Sequence, residues 1–229
     1  MKLAITQPCF LPWPGYFWLL SYVDEIVFLD NVQFDYRSWQ HRNLIKLNEK
    51  KTFITIPVHQ KNRSKELISE KEIFYENENI KKIINKIQSA YKKTPYFDKY
   101  FSKFLNIINQ NEKYLIKLNL NLILFFINEF NIKINISFSS SLNLNSKKEN
   151  LIYDICKIKK CNEYISTIGA KNYLNSKNFN NIKIKYFVLD QETLKENKLD
   201  PDIFSIIHYF FLYGPDTLIK LNKFFKIET

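Results

Sequence analysis

Apolar positions recur along this chain with two periods, and the change from one to the other marks out its elements. Lys2 to Thr6 opens it with apolar side chains at Leu3 and Ile5, the mark of a short strand. Prolines at positions 8, 12 and 14 forbid regular structure in the loop that follows. Gly15 to Tyr22 sets Phe17 and Leu20 on one helical face, and Ile26 to Leu29 is an unbroken apolar run ending at Asp30, as in a buried strand. Strand, loop, helix and strand make a βαβ-like beginning. Arg42 to Leu47 and Thr52 to Val58 predict two paired strands about the polar turn Asn48 to Lys51. From about residue 79 to 131 the period lengthens to that of helices: Ile83, Ile87 and Tyr91, then Phe104 and Ile108 beyond Pro95, then Leu118, Leu122 and Phe126. Beyond it the pattern predicts a strand over 132–138, a helix over 147–159, strands over 163–166 and 182–189 with a short helix at 169–174 between them, and a last helix over 204–212 ending near Gly214 and Pro215. Strands alternating with helices imply a three-layer, Rossmann-like α/β fold with a mainly parallel sheet, and 79–131 as a helical insert in a single domain spanning residues 1–229.

Composition narrows the setting. A chain of 229 residues with 45% hydrophobic and 16% aromatic content has the means to build a core and is not a disordered segment. Its three cysteines, Cys9, Cys156 and Cys161, are odd in number and lack metal-ligand spacing, which predicts reduced thiols and a cytoplasmic setting. The first residues hold no signal-peptide core, and the most apolar run, Leu118 to Ile127, is too short to span a bilayer. The net charge of +11 invites an anionic partner, whether nucleotide-sugar phosphates, RNA or an anionic lipid surface. Against this, the lysines are spread through a chain flooded with Lys, Asn and Ile, as compositional drift would leave them, so the balance favours a solvated basic surface.

Residues that resist such drift carry information. Only three arginines occur, Arg37, Arg42 and Arg63, within a Lys plus Arg total of 34. A guanidinium grips phosphate or carboxylate with two parallel hydrogen bonds, which an ammonium does not copy. All three tryptophans, Trp13, Trp18 and Trp39, lie in the first forty residues, and the glycines are only Gly15, Gly169 and Gly214. Asp30, at the end of a predicted strand, is placed to act as a base or orient an amine, or else to cap a helix or pair with Arg37 or Arg42. His41, between Trp39 and Arg42, is a candidate general base or an ordinary loop histidine. Trp39, Tyr16 and Phe10 suit stacking on a sugar or base, or an aromatic core corner. Ser139 to Ser141 suits phosphate binding or capping. His59 follows a predicted strand, and His208 lies on an apolar helix, the usual place of a packed histidine. No pair has metal-ligand spacing and no Gly-x-Ser-x-Gly elbow occurs, so neither a metal centre nor a hydrolase triad is expected.

The block Gln7-Pro8, Phe10, Pro12, Gly15-Tyr16-Phe17, Asp30, Val32-Gln33-Phe34, Trp39 and Arg42-Asn43 resembles the N-terminal signature of the WbqC-like family. Ile56-Pro57-Val58, the stretch from Tyr164 to Tyr173 with Gly169, and Ser205 to Gly214 resemble later family blocks, so the likeness runs through nearly the whole chain. One departure is His208, where the family pattern leads one to expect an acid. The resemblance implies an enzyme of bacterial surface-glycan (O-antigen-type) biosynthesis that transfers a glycyl-type aminoacyl or an acyl group to the amine of a nucleotide-activated amino sugar. Read together with the residues themselves, such a reaction makes Asp30 and His41 the candidate catalytic residues, and Gln7, Tyr16, Gln33, Arg37, Trp39, Arg42, His59, Ser166 and Tyr173 the candidate substrate-binding ones, with no metal and no cofactor expected. An aminoacyl-tRNA is one available donor, though the even spread of lysines does not favour it. The alternative is a non-catalytic nucleotide-sugar or partner-binding module. The Pro-containing loop and Trp13-Pro14-Gly15-Tyr16 also resemble, distantly, a nucleotidylyltransferase opening that lacks both of its histidines, which leaves the scaffold without that chemistry.

Overall fold

The structure is a computed structural model and describes residues 1–60, 66–76, 78–172, 174, 179, 181–196 and 204–229. Successive side chains of a strand point to opposite faces of its sheet, and here both faces are apolar. In β1 (Lys2–Thr6) Ala4 faces one side while Leu3 and Ile5 face the other. β2 (Glu25–Phe28) divides Ile26 and Phe28 from Val27 in the same way. Helices cover both faces because neither can be left to water. The first is covered by α1 (Pro14–Tyr22), by α2 (Asn79–Tyr91), α3 (Phe97–Ile108) and α4 (Leu115–Glu129), and by a later helix. The second is covered by α5 (Lys148–Ile158), which buries Leu151, Ile152 and Ile155 against Leu3, Val27 and Tyr164. The fold is therefore the expected three-layer α/β architecture with a mostly parallel sheet. The helical stretch from 79 to 131 forms part of one layer: Phe126 packs edge-on against Phe17, ring centroids 5.4 Å apart.

The sheet has six strands in the order β5-β2-β1-β6-β7-β8, where β5 is Asn135–Phe138, β6 Glu163–Thr167, β7 Lys183–Leu189 and β8 Phe225–Glu228. All pairings are parallel except β7 with β8. From β1 the chain winds outward through β2 to β5, then returns through α5 to the far side of β1 and continues outward from β6. The winding reverses between β1 and β6, and in such sheets ligands bind outside the carboxyl ends of the strands at that point.

Two features differ from expectation. The hairpin of β3 (Arg42–Leu47) and β4 (Lys50–Thr55) turns on two residues, because Leu47 pairs directly with Lys50. Asn48 and Glu49 both have left-handed φ, 50° and 59°, the geometry whose twist matches that of the flanking strands. The C-terminal end carries more structure than one helix: α6 (Gln191–Glu196) precedes α7 (Ile206–Tyr213), and α8 (Thr217–Leu221) and β8 follow it. Four residues, Phe225 to Glu228, are too short to show a period, and only pairing with β7 makes them a strand. Among the described residues no helix is long and apolar enough to cross a membrane.

Candidate functional site

A cavity of about 300 Å³ opens at the point where the winding reverses, between Thr6 at the end of β1 and Thr167 at the end of β6. Its wall is aromatic: Trp13, Tyr16 and Trp39, with Phe187 from β7. Cys9 and Asn43 contribute the remaining polar atoms that matter. Burial pushes the Cys9 thiol up to about 12, so it is neutral and a poor nucleophile. Burial, and then the neighbouring Cys9, hold the Tyr16 phenol well above the usual tyrosine range, and its hydroxyl donates to the Gln7 carbonyl oxygen at 3.2 Å. Gly15 serves packing here. A side chain at this position would meet the Trp13 indole at 2.4 Å and Phe187 at 2.6 Å, so the indole occupies the space above the start of α1.

Two loops build the cavity mouth, and buried amides tie them together. Asn119 of α4, an amide on an otherwise apolar helix face, donates to the Pro8 oxygen (3.2 Å) and the Gln40 oxygen (2.8 Å). Gln40 donates in turn to Gln7 Oε1 at 2.8 Å and accepts from the Asp35 amide at 3.1 Å. Asn43 donates to the Phe10 and Leu11 oxygens at 3.1 and 2.8 Å, and the Phe10 amide donates to the Trp39 oxygen at 3.0 Å. Buried polar groups need such partners, and once paired they fix one arrangement of the backbone. Much of the Gln-Pro to Arg-Asn signature is thus a device that holds Trp39 over the cavity.

The predicted site residues separate into groups. Tyr16 and Trp39 line the cavity, and Gln7 braces it. Arg42 lies at the same end, its guanidinium 5.0 Å from the centre of the Phe53 ring and donating to the Arg37 oxygen at 2.8 Å. Its Nε is buried without a hydrogen-bond partner among the described residues, and Arg37 is exposed. Asp30 is elsewhere. Its carboxylate accepts from the Ser140 amide (2.9 Å), Ser140 Oγ (2.6 Å) and Ser139 Oγ (3.0 Å), joining the end of β2 to the turn after β5. Two of the three serines are thereby committed to Asp30, while Ser141 donates to the Phe138 oxygen at 2.7 Å. His41 is buried with both ring nitrogens against backbone oxygens, Nδ1 3.1 Å from Ile56 O and Nε2 2.9 Å from Tyr36 O. Its ring borders a second hollow of about 420 Å³ shared with Tyr36 and His59. Ser166 accepts from the Tyr164 hydroxyl at 3.2 Å, on the α5 side of the sheet. Gln33 is exposed and bridges to Leu67. Tyr173 and Arg63 lie outside the described residues. No cluster of three or more potential metal ligands occurs among the described residues.

The sequence reading passed over Lys71. This side chain is fully buried, with Nζ 2.5 Å from Glu66 Oε2 and 2.5 Å from the Tyr36 hydroxyl, which itself donates to the His59 oxygen at 3.1 Å. One lysine among so many has no signature that marks it as buried. His208, at the position where an acid was expected, sits among Tyr91, Phe204 and Tyr209, away from the cavity lining.

The model of the WbqC-like protein family matches residues 7–219, nearly the whole chain and every lining residue of the cavity except Thr6. This chain belongs to the WbqC-like family. A relative in Mycobacterium tuberculosis (strain ATCC 25618 / H37Rv), the uncharacterized protein Rv1507c, is 27% identical over 199 residues, which cover 86% of this chain and 85% of that one. No solved structure matches the chain. In this WbqC-like protein part of the family signature, Pro12, Gly15, Tyr16, Trp39 and Asn43, lines the cavity at the reversal point, whereas Asp30 and Gln33 lie outside its lining.

Proposed function

We propose that this WbqC-like protein acts in surface-glycan biosynthesis by binding a nucleotide-activated amino sugar at the reversal-point cavity and receiving an aminoacyl or acyl group on the sugar amine. The observation that supports this most is the cavity itself, an aromatic-walled hollow at the carboxyl ends of β1 and β6, with the Arg42 guanidinium on Phe53, the ring stacked against the lining residue Trp39. Aromatic walls suit the apolar face of a pyranose, and guanidiniums suit a diphosphate. In the reaction the amine nitrogen attacks the carbonyl carbon of an activated donor, a thioester or an aminoacyl ester. An amide bond forms, the donor's thiolate or alkoxide leaves, and the proton shed by nitrogen passes to that leaving group or to water. Among the described residues no carboxylate or histidine lines this cavity. The protein's contribution in this reading is therefore approximation: it holds the neutral amine in line with a donor that is already activated.

The second reading, a binding module without catalysis, is favoured by one observation. Asp30 and His41 spend their side-chain polar atoms on the fold. One experiment separates the two. The protein is incubated with nucleotide-activated amino sugars and with acyl thioesters or charged tRNA, and the acceptor is weighed by mass spectrometry while binding is followed by calorimetry. A mass gain that needs the protein supports transfer. Binding without mass gain supports the module, and neither outcome with any sugar nucleotide ends both readings.

A further inference from the structure

An exposed aromatic pair beside the cavity has no structural explanation in the core. Trp39 is 49% exposed and Phe53 44% exposed, and they stack at 24° with centroids 6.2 Å apart. Large apolar rings facing water are costly, and a cluster of them marks a binding surface. This cluster is ringed by cations. The Arg42 guanidinium lies over Phe53 at 5.0 Å, and Lys86 Nζ donates to the Phe53 oxygen at 3.3 Å. Arg37 is exposed two residues from Trp39. Among the described residues none of these three cations forms an ion pair with a carboxylate. Flat rings flanked by uncommitted positive charge complement a ligand that is flat at one end and anionic next to it.

The cavity sets the direction in which such a ligand lies. At about 300 Å³ it is at the small end of ligand pockets, with room for one ring rather than a whole sugar nucleotide. Trp39 belongs both to the cavity wall and to the exposed pair, so it stands at the threshold between them. We propose that the Trp39–Phe53 pair is a nucleobase platform: the base stacks on the exposed rings, the diphosphate crosses Arg42 and Arg37, and the sugar enters the cavity. This rests on the reading that the ligand is a nucleotide-activated sugar, and it assigns each part of that ligand a place. Stacking on an aromatic face is tolerant of base identity, because every base presents a π surface.

The test measures binding of uridine diphosphate, adenosine diphosphate, pyrophosphate and a hexosamine 1-phosphate to the full chain and to Trp39→Ala, Phe53→Ala and Trp39→Phe. Trp39 and Phe53 are half exposed, so the alanine variants are expected to fold, which circular dichroism checks. Trp39→Ala is expected to weaken both nucleoside diphosphates about ten- to a hundred-fold, the value of one stacked base. Phe53→Ala, outside the cavity lining, should weaken the nucleoside diphosphates and leave pyrophosphate and the sugar phosphate within about two-fold, and Trp39→Phe should restore most of the Trp39→Ala loss. Equal affinity of the wild type for pyrophosphate and the nucleoside diphosphates overturns the platform. So does a Phe53→Ala loss that is as large for the sugar phosphate, because the exposed rings would then be stacking on sugar. If the sugar phosphate binds and the nucleoside diphosphates do not, the platform fails while the sugar cavity stands. If none of the four binds the wild type, the nucleotide-sugar reading itself fails.

Discussion

Asp30 offers the sharpest test of how the site should be read, because sequence makes it a catalytic base and structure makes it a clamp. Three donors converge on its carboxylate: the Ser140 amide at 2.9 Å, Ser140 Oγ at 2.6 Å and Ser139 Oγ at 3.0 Å. Ser139 is fully buried and Asp30 is 7% exposed, so water does not replace what a mutation removes. Hydrogen bonds to a charged acceptor are worth about 1.5–3 kcal/mol each, and donors left unpaired add a penalty of their own. Contributions in one network do not sum, so Asp30→Ala is expected to cost about 3–5 kcal/mol in total. Asp30→Asn keeps one oxygen for the Ser140 amide and lets the Ser140 hydroxyl turn to accept, so about 1–2 kcal/mol is expected. Ser140→Ala should cost about 1 kcal/mol, and the Asp30→Asn, Ser140→Ala cycle should show coupling of comparable size. Urea unfolding reads all of these, provided the slope of the transition is unchanged. An Asp30→Asn protein with the wild-type midpoint that binds substrate but has lost transfer would refute the clamp and restore Asp30 as the base.

Two further expectations follow from packing and burial. Gly214 has φ +60°, and an added Cβ would meet the Tyr96 ring at 2.4 Å; at Gly169 no described atom lies within 4 Å of that position. Gly214→Ala should therefore cost about 2–4 kcal/mol and Gly169→Ala within about 0.5 kcal/mol, so equal melting temperatures for the two variants would contradict the packing argument. His208 is lowered to about 4 from an ordinary 6.5, first by desolvation and then by the charge of Lys46, with Glu49 opposing. A histidine whose folded pKa is depressed lends its stability above the unfolded pKa and loses it as pH falls toward the folded value. The protein should thus lose up to about 3 kcal/mol between pH 6.5 and 4 on this account, and His208→Phe should flatten that part of the profile; parallel profiles for the two proteins would sink the idea.

The sequence by itself determined the order and kind of most elements, because periodicity is local. Leu3 and Ile5, the run Ile26 to Phe28, and the helical spacing of Ile83, Ile87 and Tyr91 each report the face they bury without reference to any distant residue. It also pointed to the N-terminal segment, since all three tryptophans and two of the three arginines fall within the first 42 residues. What tertiary structure alone decided is how that segment is used. Asn119 meets Pro8 across 111 positions and Gln40 across 79, and Asp30 meets Ser140 across 110. No local pattern distinguishes a carboxylate clamped by distant serines from one left free to take a proton. The same holds for Lys71, buried between Glu66 and Tyr36 where no other lysine among the described residues is buried. Chain order sets what each residue is able to do, whereas only the closing of the sheet between β1 and β6 brings Tyr16 and Trp39 to one cavity and leaves Asp30 and His41 outside it, because desolvated hydrogen bonds had already claimed them.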